Sequence, residues 1–136
     1  MHNRPDLPIG KFAIRPGPMM AGGAFFDITV TGKGSHGARP EEGIDPVLTA
    51  CHITTALQAI VSRNISPRDT AVLSVTSIQA GDAYNVIPQT AVIRGTFRTF
   101  SNDTTKQIED RMRCIATGVA SAFGATAHVD LPSAGQ

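Results

Sequence analysis

Hydrophobic residues recur with a period of two in some stretches of this chain and with a helical period in others. The order of those stretches limits the fold more than any other feature. In AFFDITVTG, Phe26, Ile28 and Val30 alternate with Asp27, Thr29 and Thr31, which predicts a strand with one buried face. Asp45-Pro46 then supplies a helix N-cap and a proline at the first helical position. The run that follows carries Val47, Ala50, Thr54, Leu57 and Val61 at helical spacing, and Pro67 lies past its end. A second strand is predicted over 70–81, where Leu73 and Val75 alternate with Ser74 and Thr76. A linking loop over 82–88 leads to a third strand over 90–100. There Ile93 and Phe97 point one way, with Gly95 between them, and Arg94, Thr96 and Arg98 point the other. Ser101, Asn102 or Asp103 caps a second helix, whose apolar face is Ile108, Met112, Ile115, Val119 and Phe123. Gly124 suits its C-cap, and a short strand near 125–131 completes the order.

The order β-α-β-β-α-β predicts an α+β, ferredoxin-like fold: a four-stranded antiparallel sheet with two helices on one face. The second sheet face is then open to a partner. The 136 residues suffice for one domain with one core. Residues 1–23 contain Pro5, Pro8, Pro16 and Pro18 and read as an irregular lead-in. The net charge of +1 gives no basic excess for nucleic acid, and six Phe, one Tyr and no Trp make a poor base-stacking surface. No apolar run is long enough for a membrane-spanning helix, and the polar N-terminus has no secretory h-region. A cytoplasmic location is expected. Cys51 and Cys114 are expected as two buried thiols rather than a disulfide.

Few residues are suited to chemistry. GKGSHGARP, residues 32–40, is too glycine-rich for helix or regular strand, and it holds His36 among Gly32, Gly34 and Gly37. His36 is either a solvated loop side chain or a group presented outward to another molecule. The stretch lacks the spacing and the Lys-Ser/Thr ending of a phosphate loop. NVIP places Asn85 at the entrance of a strand, and RGTFR places Arg98 on that strand's polar side. An amide and a guanidinium can jointly hold a carboxylate. They could equally be a turn asparagine and an exposed strand arginine. His52 and His128 have no constellation around them, and Glu41-Glu42 is an adjacent loop pair without defined geometry. HExxH, CxxC and G-x-S-x-G are absent, and too few ligands are available to close a metal site.

Taken together, MHNRPDLPIGKFAIRPGPMMA, GKGSHGARPEEGIDPV, TALQAIVSR, GDAYNVIP and RGTFRTF resemble the aminoacylase and carboxypeptidase family of two-metal amidohydrolases. The branch that looks most similar comprises hippurate hydrolase and the N-acyl-amino-acid hydrolases. The resemblance spans residues 1–131. It implies a ferredoxin-like lid and dimerisation domain over 24–131, a crossover segment from a catalytic domain over 1–23 and a return linker over 132–136. It further implies that His36 stabilises the oxyanion in the active site of the partner subunit. Asn85 and Arg98 would hold the substrate's carboxylate or backbone carbonyl, and His2 would be a metal ligand in the full-length enzyme. Two divalent metal ions (zinc, manganese, nickel or cobalt) are implied for that enzyme, with none expected in this chain alone. The remaining family motifs are missing, so this chain by itself should be inactive. The partners implied are a second copy, a catalytic domain and a small N-acyl amino acid. The alternative is a free-standing ferredoxin-like module that binds or senses a small acid through Arg94 and Arg98.

Overall fold

Phe26, Ile28 and Val30 lie fully buried on one side of the first strand, as their alternation predicts. A computed structural model describes residues 8–10 and 22–132. Its main strands are β1 (Gly22–Thr31), β3 (Ala71–Ala80), β5 (Thr90–Thr99) and β6 (Thr126–Asp130). Two short strands, β2 (Ser35–His36) and β4 (Val86–Ile87), pair apart from them. The helices are α1 (Pro46–Ala59) and α2 (Asn102–Ala122). The main sheet has the order β3-β5-β1-β6, and every neighbouring pair is antiparallel. This is the expected ferredoxin-like architecture. The core forms where Phe26, Ile28, Ile93 and Phe97 of the sheet meet Ile53, Leu57, Ile108 and Met112 of the helices.

The helix ends follow local chemistry. The Asp45 carboxylate accepts hydrogen bonds from Val47 N (2.8 Å) and Leu48 N (3.2 Å), two donors that the first turn cannot satisfy itself. Of the three candidates for the second cap, Ser101 fills the role and accepts from Thr104 N. At the far end of α2, Gly124 adopts φ +77°. Its N–H donates to Ser121 O and that of Ala125 to Ala120 O, which closes the helix in a Schellman motif.

Gly95 has a packing reason. A Cβ at that position would stand 2.3 Å from the Phe26 ring and 2.3 Å from Ser74 O. Glycine is therefore what lets a buried aromatic lie across the middle of the sheet.

Four expectations need correction. The buried face of α1 is Thr49, Ala50, Ile53 and Leu57, whereas Val47 is exposed. Apolar residues occur all around this helix, so spacing alone leaves its phase open. Phe123 lies past the end of α2 and is 39% exposed, while Ala116 and Ala120 occupy the centre of the contact. Cys51 and Cys114 are both exposed and unpaired. Each sits on the outer side of its helix. The glycine-rich stretch does contain strand, the two-residue β2, because β4 supplies its partner.

β3 is interrupted by a bulge at Thr76, between Val75 and Ser77. The bulge returns Ile78 to the side of Ile93. No helix among the described residues is long and apolar enough to cross a membrane.

Candidate functional site

The loop that carries His36 is held from three directions. At its base, Lys33 and Ile44 exchange backbone hydrogen bonds of 2.9 Å each. On its flank, Gln89 uses both ends of its amide: Oε1 accepts from Gly34 N and Nε2 donates to Gly32 O, each at 3.0 Å. At its tip, Ser35 and His36 pair with Ile87 and Val86, and Gly37 N donates to Asn85 O at 2.7 Å. Side chains at these glycines would obstruct that approach. A Cβ on Gly32 would stand 2.1 Å from Ile44 O, and one on Gly37 would stand 3.2 Å from Asn85 O. The glycines thus serve close backbone approach, and the loop is an ordered ribbon.

His36 and Asn85 consequently become neighbours, though 49 positions separate them in sequence. Both side chains are exposed. Ala38 N donates to His36 Nδ1 at 3.0 Å. An Nδ1 that accepts fixes the neutral tautomer, because the proton must then sit on Nε2. His36 therefore presents an N–H donor on its outward edge. Tyr84, next to Asn85, is fully exposed on the same rim.

Arg98 lies elsewhere. It belongs to the last turns of β5, on the sheet face away from the helices. The ribbon joins β5 at its other end, near Thr90. Arg98 lies eight residue steps beyond Thr90 along the strand, about 27 Å at ~3.4 Å per residue. Within one chain, Asn85 and Arg98 do not converge on one carboxylate.

The open face also distinguishes its two arginines. Arg94 donates to Asp27 Oδ2 (3.3 Å) and Gln79 Oε1 (3.1 Å), so it is engaged within the sheet. This ion pair is about half exposed and worth little in isolation. Arg98 has no carboxylate partner among the described residues. Its Nη1 donates to Phe97 O at 3.0 Å and to Thr96 Oγ1, and its Cζ lies 5.8 Å from the Phe25 ring centroid.

Among the described residues, the other histidines form no cluster. His52 packs its ring 4.8 Å from that of Phe123, and His128 faces solvent opposite Thr29. Among the described residues, no group of three His, Cys, Asp or Glu side chains comes together to hold a metal ion. The described residues therefore do not fit a metal centre. His2 lies outside them.

Sequence reasoning passed over Gln89, Gly23 and Phe25. Gln89 directly follows NVIP, a cue that its side chain could return to the neighbouring loop. Nothing local marks the other two, because their partner Arg98 is distant in sequence.

The family described as a peptidase dimerisation domain matches residues 20–122. An N-acetylcysteine deacetylase of Bacillus subtilis is 45% identical over 128 residues, covering 94% of this chain and 34% of that protein. The hippurate hydrolase of Campylobacter jejuni is 40% identical over 121 residues, covering 89% of this chain and 32% of that protein. A crystal structure from Bacillus subtilis, described as a dinuclear metal binding peptidase from the M20 family, superposes with a TM-score of 0.72 at 36% identity. It covers 96% of this chain and 31% of that one. The chain spans about a third of the length of the relatives it matches.

Proposed function

The chain belongs to the peptidase dimerisation domain family, and from that premise we propose that it is the substrate-covering and dimerisation domain of a metal-dependent amidohydrolase. Its substrates are N-acyl amino acids. The names of two relatives, an N-acetylcysteine deacetylase and a hippurate hydrolase, both describe an acylated amino acid and support that class. The domain proper is residues 24–131, and the enzyme works as a homodimer. The unit that cleaves the bond is the rest of the protein, and His2 joins its metal ligands only there. The isolated chain is inactive.

The observation that carries this reading is the fixed His36 tautomer on an ordered, outward ribbon. Its Nε2–H is a preorganised donor for the oxyanion that develops when an amide carbonyl is attacked. Asn85 stands beside it as a second polar group for the substrate backbone. Arg98, at the end of β5 far from the ribbon, anchors the substrate carboxylate. One chain cannot bring both ends to one substrate, but two copies can. One copy supplies Arg98 and its partner supplies His36 and Asn85.

Mixed dimers of the full-length enzyme test this. His36→Ala alone should lower kcat by about 10²–10³ with metal content intact. At substrate well below KM, an equal mixture of His36→Ala and Arg98→Ala subunits should restore about a quarter of wild-type activity, since half the dimers then hold one of two sites intact. An unchanged kcat in His36→Ala removes the histidine from the mechanism. Failure of the mixture to recover activity refutes the shared site. An immunoblot of cell extract tests the domain assignment, with a band about three times the size of this chain expected. A band at the size of this chain alone would favour the small-acid-binding module instead.

A further inference from the structure

Arg98 has a neighbour on each side in the sheet register: Val72 on β3 and Gly23 on β1. The valine fills its place with a half-exposed isopropyl group. The glycine leaves its place empty, and the guanidinium occupies it. A Cβ built on Gly23 would lie 2.6 Å from Cζ, 2.6 Å from Nη1 and 2.8 Å from Nε of Arg98. A side chain there would push the guanidinium, the far end of a flexible side chain, out of this place; with glycine it lies against bare backbone. Phe25, one pleat along the same face, borders it with its ring.

In this pose the donors are divided. Nη1 is tied back to Phe97 O and Thr96 Oγ1. Nε–H and the Nη2 hydrogens have no acceptor among the described residues. Those two nitrogens form the edge of the guanidinium that takes a carboxylate side-on, through two parallel hydrogen bonds. Arg94, on the same strand face, is already bound to Asp27 and Gln79 and offers no such edge.

We propose that Gly23 is a positioning residue for Arg98: the missing side chain seats the guanidinium across β1, so that its Nε–Nη2 edge faces the substrate carboxylate. This deepens the reading of Arg98 as the carboxylate anchor and rests on it. The physical gain is preorganisation. An arginine that is already held loses little further rotamer freedom when the carboxylate arrives. Any side chain at position 23 displaces the fork and restores that freedom.

The test uses the full-length enzyme and an N-acyl amino acid, with its carboxyl-amidated counterpart as control. Gly23→Ala should raise KM for the free acid about tenfold, the scale of one charged hydrogen bond. Both kcat and KM for the amide should stay within about twofold, because the amide never draws on the fork. On an Arg98→Ala background, Gly23→Ala should add nothing, the mark of a residue that acts through another. Phe25→Leu keeps an apolar side chain on the strand and should raise the same KM by a smaller factor. That variant serves as the second probe if Gly23→Ala proves unstable by thermal melt. If Arg98→Ala raises KM for the acid while Gly23→Ala and Phe25→Leu leave it unchanged, the positioning role is refuted and the anchor survives. If Arg98→Ala itself leaves KM unchanged, the anchor fails and the proposal fails with it.

Discussion

Two glycines of this chain should respond to the same substitution with opposite signs. Gly118 sits in the interior of α2, where an added Cβ would meet nothing within 4 Å. Alanine there reduces the freedom of the unfolded chain and meets no clash. It should stabilise by about 0.5–1 kcal/mol. Gly95 would gain the same entropic benefit, but its Cβ would stand 2.3 Å from both the Phe26 ring and Ser74 O. Phe26 is fully buried and cannot swing into solvent. Ser74 O belongs to the backbone of β3, so easing that contact means moving a strand. Overpacking of this kind costs about 1–3 kcal/mol or more, and backbone involvement puts it at the upper end. The net expectation for Gly95→Ala is a loss of about 2 kcal/mol. Urea unfolding followed by circular dichroism at one fixed protein concentration measures both, because the midpoint moves while the slope stays constant. A Gly95→Ala midpoint equal to or above wild type would refute the packing argument. A Gly118→Ala midpoint below wild type would show that α2 buries that side against something else.

Other expectations follow from single contacts. Asp45→Ala removes the acceptor for two backbone N–H groups and should destabilise by about 1 kcal/mol in the same urea assay; no shift would mean water replaces the cap at no cost. Gln89→Ala removes both side-chain hydrogen bonds to the His36 loop. It should speed amide hydrogen exchange at Gly34 while leaving the helix cores protected, and unchanged exchange would show that the β2–β4 pairing holds the loop alone. Cys114 should react with a thiol reagent in the native chain as fast as in denaturant. Reaction only after unfolding would contradict its exposed place on α2.

Much of the fold was legible because its determinants are local. Alternation in β1 and β5, the Asp45-Pro46 start and the Gly124 stop each depend on residues within a few positions of one another. They specify strand, helix start and helix end without reference to the rest of the chain. The α2 face was mostly legible for the same reason, since charged residues occupy its other side. The α1 face was not, because Val47, Leu48 and Ile53 compete for the core and only the packed sheet decides between them. Cys51 misled in the same way.

The sequence by itself determined the β-α-β-β-α-β order, the Asp45 cap and the choice of His36, Asn85 and Arg98 as candidate site residues. Only the tertiary structure decided how they are grouped. Gln89 clasps a loop 55 positions earlier in the chain, and β4 gives β2 the partner that turns a flexible-looking glycine stretch into a ribbon. That pairing unites His36 with Asn85. The length of β5 sets Arg98 at the opposite end, against Gly23. Such groupings arise from antiparallel register between distant segments, and register is fixed by the burial of whole strand faces. No local pattern encodes that. The same register holds His36 and Arg98 apart in one chain, which is why the proposed site draws on a second copy.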